Sequence, residues 1–111
     1  MDVTSSNRGQ VAVVSIAGSI DALTAPALSE ALQKQTGVGH ARIVADLSAL
    51  EYTSSAGLRV LLAAVKEARQ HGGDVRLAGV QHNVLKVLEL SGFTTIMKLY
   101  PDVEAAVASF V

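Results

Sequence analysis

Three consecutive hydroxyl side chains, Thr53, Ser54 and Ser55, stand where a loop gives way to an apolar helical pattern, and Arg59 follows one turn later. Such residues at a helix start have two common uses. A serine at the cap accepts a hydrogen bond from an orphan N–H of the first turn, worth about 1 kcal/mol. The other use is phosphoacceptor chemistry: the N-terminal end of a helix favours anions, so a phosphoryl group on Ser55 is not repelled by its own backbone. Arg59 falls on about the same face as Ser55, as a local counter-charge or as a solvated side chain. Nucleophilic catalysis is a third chemistry to weigh, because Thr53-Ser54-Ser55-Ala56-Gly57 overlaps the G-x-S-x-G elbow. Thr53 occupies the place of the first glycine, however, and neither His71 nor His82 is spaced to identify it as a base. His40, His71 and His82 show no metal-ligand spacing, and no metal site is expected. Gly37-Val38-Gly39 is not followed by the Lys-Ser/Thr of a phosphate loop and reads as a helix stop.

The elements that must position these residues follow from hydrophobic period and turn chemistry. Gln10–Ala17 is a β-branched run that predicts a largely buried strand, and Asp2–Ser5 pairs with it if Ser6-Asn7-Arg8-Gly9 forms a hairpin turn. Thr24-Ala25-Pro26 supplies a capping hydroxyl and an early proline for a first helix carrying Leu28, Ala31 and Leu32 and stopping near Gly37. Arg42–Leu47 is a second short buried strand. From Ser55, the spacing of Leu58, Leu61, Leu62, Val65 and Ala68 predicts a second helix ending at His71-Gly72-Gly73. Val75–Ala78 alternates as a strand, Val84, Val87 and Leu88 mark a third helix closed by Ser91-Gly92, and Ile96–Tyr100 is strand-like. Pro101 then separates that strand from a C-terminal helix lined by Val103, Val107 and Phe110. Strands alternating with helices at this pitch predict an α/β domain. Its sheet is mostly parallel with an antiparallel N-terminal edge strand, and about four helices pack mainly on one side. Residues 1–111 form one domain, with no repeat or linker.

Composition removes several function classes. The 111 residues contain no cysteine, which excludes disulfides and thiolate-bound metals. Nine basic residues nearly balance ten acidic ones, for a formal net charge of -1, and no Lys/Arg cluster is present to track a phosphate backbone. Aromatic residues are 4% and none is tryptophan, so a base-stacking platform is missing as well. Direct nucleic-acid binding is not expected. Mean hydropathy is high at +0.37, yet the apolar residues come in short runs, too short for a membrane span of about 20. The first residues lack the basic and apolar regions of a secretory signal, and a cytoplasmic location is the expectation.

Taken in order, Gly18-Ser19-Ile20-Asp21-Ala22-Leu23-Thr24-Ala25 after a strand, Asp46-Leu47-Ser48 at a strand end and Ser54-Ser55-Ala56-Gly57-Leu58-Arg59-Val60-Leu61-Leu62 resemble the STAS domain of bacterial anti-sigma-factor antagonists. Gly72-Gly73 and Val87-Leu88-Glu89-Leu90-Ser91-Gly92-Phe93 fit the same pattern, so the resemblance spans essentially the whole chain. It implies a STAS fold and a regulatory protein without enzymatic activity or cofactor. In that family the helix-initiating loop usually reads Asp-Ser-Ser/Ala-Gly-Leu, and the serine after the aspartate is the phosphoacceptor. That serine maps to Ser55, while the aspartate position holds Ser54. This departure removes a negative charge beside the acceptor and leaves Ser54 as the alternative acceptor, with a minor site at its neighbour Thr53 also open. Asp21, with Thr24 close by, is the other family position near the site; Asp21 also suits a turn or cap on its own.

The resemblance implies partner switching. The unphosphorylated chain would bind an anti-sigma factor that is also a serine kinase of the histidine-kinase-like ATPase superfamily, releasing the target held by it. Phosphorylation at Ser55 would end binding, and a PP2C-type serine phosphatase would restore it. The partner-binding surface carried over consists of Asp21, Thr24, Thr53, Ser54, Ser55, Ala56, Gly57, Leu58 and Arg59. A monomer is expected. The rival function is a non-phosphorylated STAS adaptor, a subunit of a transporter or sensory assembly. A nucleotide site near Asp21 and Ser55 is a further alternative, for which the sequence offers no phosphate-binding fingerprint.

Overall fold

The computed structural model of the chain describes residues 1–110. Strand β1 (Asp2–Arg8) and strand β2 (Val11–Ile20) form an antiparallel hairpin, with Arg8 opposite Val11. The hairpin is longer than the expected Asp2–Ser5 strand because its turn is only Gly9-Gln10. Gly9 has φ +62°, the conformation a two-residue connection of type II′ needs at its first position. Ser6, Asn7 and Arg8 therefore stay in the ladder.

Helix α1 (Ala25–Gly37), strand β3 (Arg42–Asp46), strand β4 (Leu50–Thr53), helix α2 (Ser55–Gln70), strand β5 (Asp74–Ala78), helix α3 (His82–Leu90), strand β6 (Leu99–Tyr100) and helix α4 (Val103–Ala108) complete the fold. The sheet order is β1-β2-β3-β5-β6, with β4 paired to the far end of β2, and every pairing except β1–β2 is parallel. The winding runs in one direction across β2, β3, β5 and β6. Right-handed crossovers therefore carry α1, α2 and α3 to one face, where Leu28, Leu32, Leu61, Val65, Val84 and Leu88 pack on Val14, Ile16, Ile43, Ala45 and Leu77. The alternate residues Val11, Val13, Val44 and Ala78 point to the opposite face and meet α4 through Ala106, Val103 and Val107. The α/β domain, its mostly parallel sheet and its four helices agree with the sequence reading.

Besides the longer hairpin, two segments differ from it. β4 was expected as loop; four residues with Leu50 fully buried make it a strand that extends the sheet beside Gly18–Ile20. Conversely, the strand expected over Ile96–Tyr100 shrinks to two residues. A 3-10 turn over Phe93–Thr95 continues into backbone bonds from Ile96 and Met97 to the Phe93 carbonyl, so only Leu99 and Tyr100 remain for β5.

Charged residues close the end of the fold opposite the Ser55 helix start. Asp74 is 5% exposed; one carboxylate oxygen receives Arg69 Nε at 3.1 Å and the other receives Arg76 Nε at 3.2 Å. Arg69 continues to the Ile96 carbonyl at 2.7 Å, and Arg76 to Ser109 at 2.6 and 2.8 Å with its guanidinium 4.1 Å from the Phe110 ring centre. One buried acid thus holds the end of α2, the turn before β6 and the end of α4.

Candidate functional site

Two loops, one after β2 and one between β4 and α2, make the site. They are joined by parallel pairing of Ile20 with Thr53 and by the Ser54 N–H, which donates to the Ile20 carbonyl at 2.8 Å. In the first loop Asp21 Oδ1 accepts from the N–H groups of Leu23 at 2.9 Å and Thr24 at 3.0 Å, and the Asp21 N–H donates to Thr24 Oγ1 at 2.9 Å. The Thr24 hydroxyl therefore faces back to Asp21 and makes no cap bond to α1, contrary to the capping role expected of it. These bonds, the Thr24 N–H foremost, hold the carboxyl of the exposed Asp21 below the ordinary aspartate range. Leu23, between the two bonded residues, is left 89% exposed.

In the second loop the three hydroxyls take three separate parts. Thr53 is 4% exposed, with its hydroxyl donating to the Ser54 carbonyl at 3.1 Å. Ser54 is the N-cap of α2, its extended backbone turning the chain and its Oγ accepting from the Gly57 N–H at 3.4 Å. Ser55 is the first residue inside the helix and is exposed. The two readings of the hydroxyl cluster consequently fall on different residues, capping on Ser54 and accessibility on Ser55. Arg59, one turn along, is exposed too. Gly57 and Leu58 are buried, and Ala56 and Thr24 half-buried. A Cβ on Gly57 would run into Thr53 Oγ1 and the Ile20 side chain, so this position seats the helix start against the end of β2.

The expected site residues thus gather at one end of the sheet in two layers. Thr53, Gly57 and Leu58 lie beneath, setting the backbone, and Asp21, Ser55 and Arg59 lie at the surface. Asp46 has a different place. Its carboxylate accepts from the Ser48 N–H and hydroxyl at 3.1 and 2.8 Å and from Ser15 Oγ at 3.3 Å, folding the turn that leads into β4. Sequence reasoning did not pick out Leu23 or Tyr52, which is 54% exposed on β4. The signal for Leu23 was its position between Asp21 and Thr24, the two partners of a side-chain-bonded turn.

His40 meets Gln35, His71 meets the Glu67 carbonyl, and His82 is exposed at the start of α3. Among the described residues no three His, Asp or Glu side chains gather as a metal set. A small cavity between α1 and α2, lined by Leu32, Thr36, Val60 and Glu67 among others, has about 20 Å3, room for one water, while larger open clefts lie elsewhere, one of about 300 Å3 along Gly79, Val80, Leu85 and Leu99. Among the described residues, no helix is long and apolar enough to cross a membrane.

The STAS domain model matches residues 3–106. The chain belongs to the STAS domain family. BtrV of Bordetella bronchiseptica, assigned as an anti-sigma factor antagonist, is 36% identical over 110 residues, covering 99% of this chain and 95% of BtrV. The anti-sigma-B factor antagonist of Listeria monocytogenes is 32% identical over 84 residues, covering 76% of this chain and 74% of the relative. The crystal structure of an anti-sigma factor antagonist from Mycobacterium paratuberculosis superimposes with a TM-score of 0.88 at 28% identity, covering 97% of this STAS domain and 92% of that chain. The family, the fold and the bacterial company of relatives agree with what the sequence implied.

Proposed function

We propose that this STAS domain is an anti-sigma-factor antagonist that works by partner switching. Unphosphorylated, it binds an anti-sigma factor with serine-kinase activity of the histidine-kinase-like ATPase superfamily and frees the target that factor holds. Phosphorylation of Ser55 ends the complex, and a PP2C-type phosphatase resets it. The domain acts in the cytoplasm as a monomer, by binding and not by catalysis, and uses no cofactor.

The observation that carries this reading is the division of labour at the helix start: Ser54 caps, Thr53 is buried, and Ser55 stands exposed at the first helical position. A hydroxyl there can enter a kinase site without unfolding the helix. Phosphate then adds a charge of about -1.5 to -2 at a surface that must lose its water against the partner. A penalty of about 3 kcal/mol already weakens binding more than a hundredfold. The same charge is tolerated within the monomer, because it sits at the positive end of α2 with Arg59 one turn away. The switch is accordingly local, through charge and bulk, with the fold unchanged. The relatives, named as anti-sigma factor antagonists, support the same reading.

Site-mapping mass spectrometry on the protein from its native cells, with and without serine-phosphatase inhibition, is the direct test. Phosphate at Ser55 that accumulates under inhibition is expected. Modification confined to Ser54 would move the acceptor, and an abundant protein unmodified in both cultures would favour the adaptor role.

A further inference from the structure

Among the described residues five large apolar side chains are exposed: Leu23, Val38, Tyr52, Leu90 and Ile96. Isolated exposed leucines are ordinary on protein surfaces. Leu23 differs in how it is held. The Asp21 carboxylate fixes the backbone of both Leu23 and Thr24, and the Ala25 N–H closes on the Asp21 carbonyl at 2.9 Å. The side chain is therefore presented to water by a bonded turn instead of a loose loop.

Its position supplies the second reason. Leu23 lies three residues beyond Ile20, at most about 11 Å along the chain, and Ile20 is the strand partner of Thr53 and the acceptor for Ser54. Tyr52 sits on the other segment of the same junction, beside Ser19. Two of the five exposed apolar groups thus lie on the two segments that the Ile20–Thr53 pairing and the Ser54 N–H bond join at the start of α2, a span that fits an ordinary interface of about 800 Å2 per partner.

Resting on the partner-switch reading, we infer that Leu23 is the apolar anchor of the Ser55 docking surface, seating in an apolar pocket of the anti-sigma factor kinase. An apolar side chain on a preorganised backbone has little ordering left to lose on association, so more of its burial appears as affinity. Ser55 then acts as the gate and Leu23 as the grip. Phosphate beside a seated Leu23 would force a charge into the same desolvated patch.

The test is calorimetric titration of the purified, ADP-loaded anti-sigma factor kinase with wild type, Leu23→Ala, Leu23→Met, Leu90→Ala and Ser55→Asp. Leu90 is the control, equally exposed at 89%. It lies at the far end of α3, about 12 Å along the helix from the Gln81 and Asn83 side chains that touch the Ser48 and Glu51 carbonyls. Leu23→Ala should weaken binding roughly tenfold or more. Leu23→Met should stay within about threefold of wild type and Leu90→Ala within about twofold. Unfolding curves of all variants should coincide except for a small shift at Ser55→Asp, because the substituted side chains are exposed. Equal weakening by Leu23→Ala and Leu90→Ala overturns the anchor. So does wild-type binding by Leu23→Ala when Ser55→Asp abolishes the complex, and the switch then stands without it. Wild-type binding by Ser55→Asp overturns the switch and the anchor with it.

Discussion

The Ser54 N–H donates to the Ile20 carbonyl at 2.8 Å, and this one backbone bond joins the loop after β2 to the start of α2. It places the bonded turn of Asp21 and the exposed hydroxyl of Ser55 on a common base. The residues around it give separate, checkable expectations.

Ser55→Asp puts a carboxylate at the first position of α2, where the helix dipole favours it by about 0.3–1 kcal/mol. The variant should unfold at a midpoint equal to wild type or slightly above it while losing partner binding. A midpoint well below wild type would make Ser55 a structural residue.

Gly57→Ala drives a Cβ into Thr53 Oγ1 and the Ile20 side chain, and overpacking of this kind costs about 1–3 kcal/mol. Adding Thr53→Ala should recover part of the loss, since the two sites share one contact. Urea unfolding of both single variants and the double would show this as non-additivity; strictly additive losses would remove the contact from the explanation.

Asp21 gives a pH dependence. Its carboxyl is held below the ordinary 3.8 by hydrogen bonds from Thr24 and Leu23, so the folded value lies under the unfolded one. The bonded turn is complete above the unfolded value and is lost as pH falls through the folded one. Amide spectra from pH 7 downwards should show the Leu23 and Thr24 N–H resonances moving with a midpoint below 3.8. A midpoint above it would mean that the carboxylate does not hold the turn in solution.

Asp74→Ala leaves the Arg69 and Arg76 guanidiniums without their shared acid. Removing one partner of a buried pair costs about 3–5 kcal/mol, and the lower end applies here because Arg69 is 42% exposed. Hydrogen exchange should quicken in α4, through Arg76 and Ser109, with the Ser55 end of the molecule unchanged. Unaltered exchange in α4 would show that Arg76 holds Ser109 without help from Asp74.

The fold was legible wherever period and punctuation agreed. Leu58, Leu61, Val65 and Ala68 declare α2, and the Gly72-Gly73 pair ends it as expected. β4 escaped because four residues carry too little alternation to separate a strand from a turn; it is a strand only because Gly18–Ile20 offers an edge, a tertiary fact. The same holds for Ile96–Tyr100, where β-branched and apolar character suits a strand but the 3-10 turn at Phe93 uses the first part of the segment. At the site, residue types alone could not divide three adjacent hydroxyls into a buried, a capping and an exposed one. Thr24 shows the converse: a residue suited to capping is drawn by Asp21 into another bond. The Asp74 clasp was invisible, since Arg69, Asp74 and Arg76 meet Ile96 and Ser109 only across the folded chain.

β2 is built as two stretches in series. Its first seven residues are all paired with β1 and four of them, Ala12–Ser15, also with β3, and only from Gly18, with φ +89°, do its last three take β4 as neighbour. The loop after β2 and the start of α2 both hang from this short end like brackets from a fixed beam. A bracket of that kind swings only by breaking the ladder behind it, so a partner docking as proposed above would meet a shape already set. Complex formation should therefore be a single collisional step with an on-rate in the ordinary range of about 10⁵–10⁷ M⁻¹s⁻¹. Its heat-capacity change should match the contact area alone, with no contribution from folding of either loop.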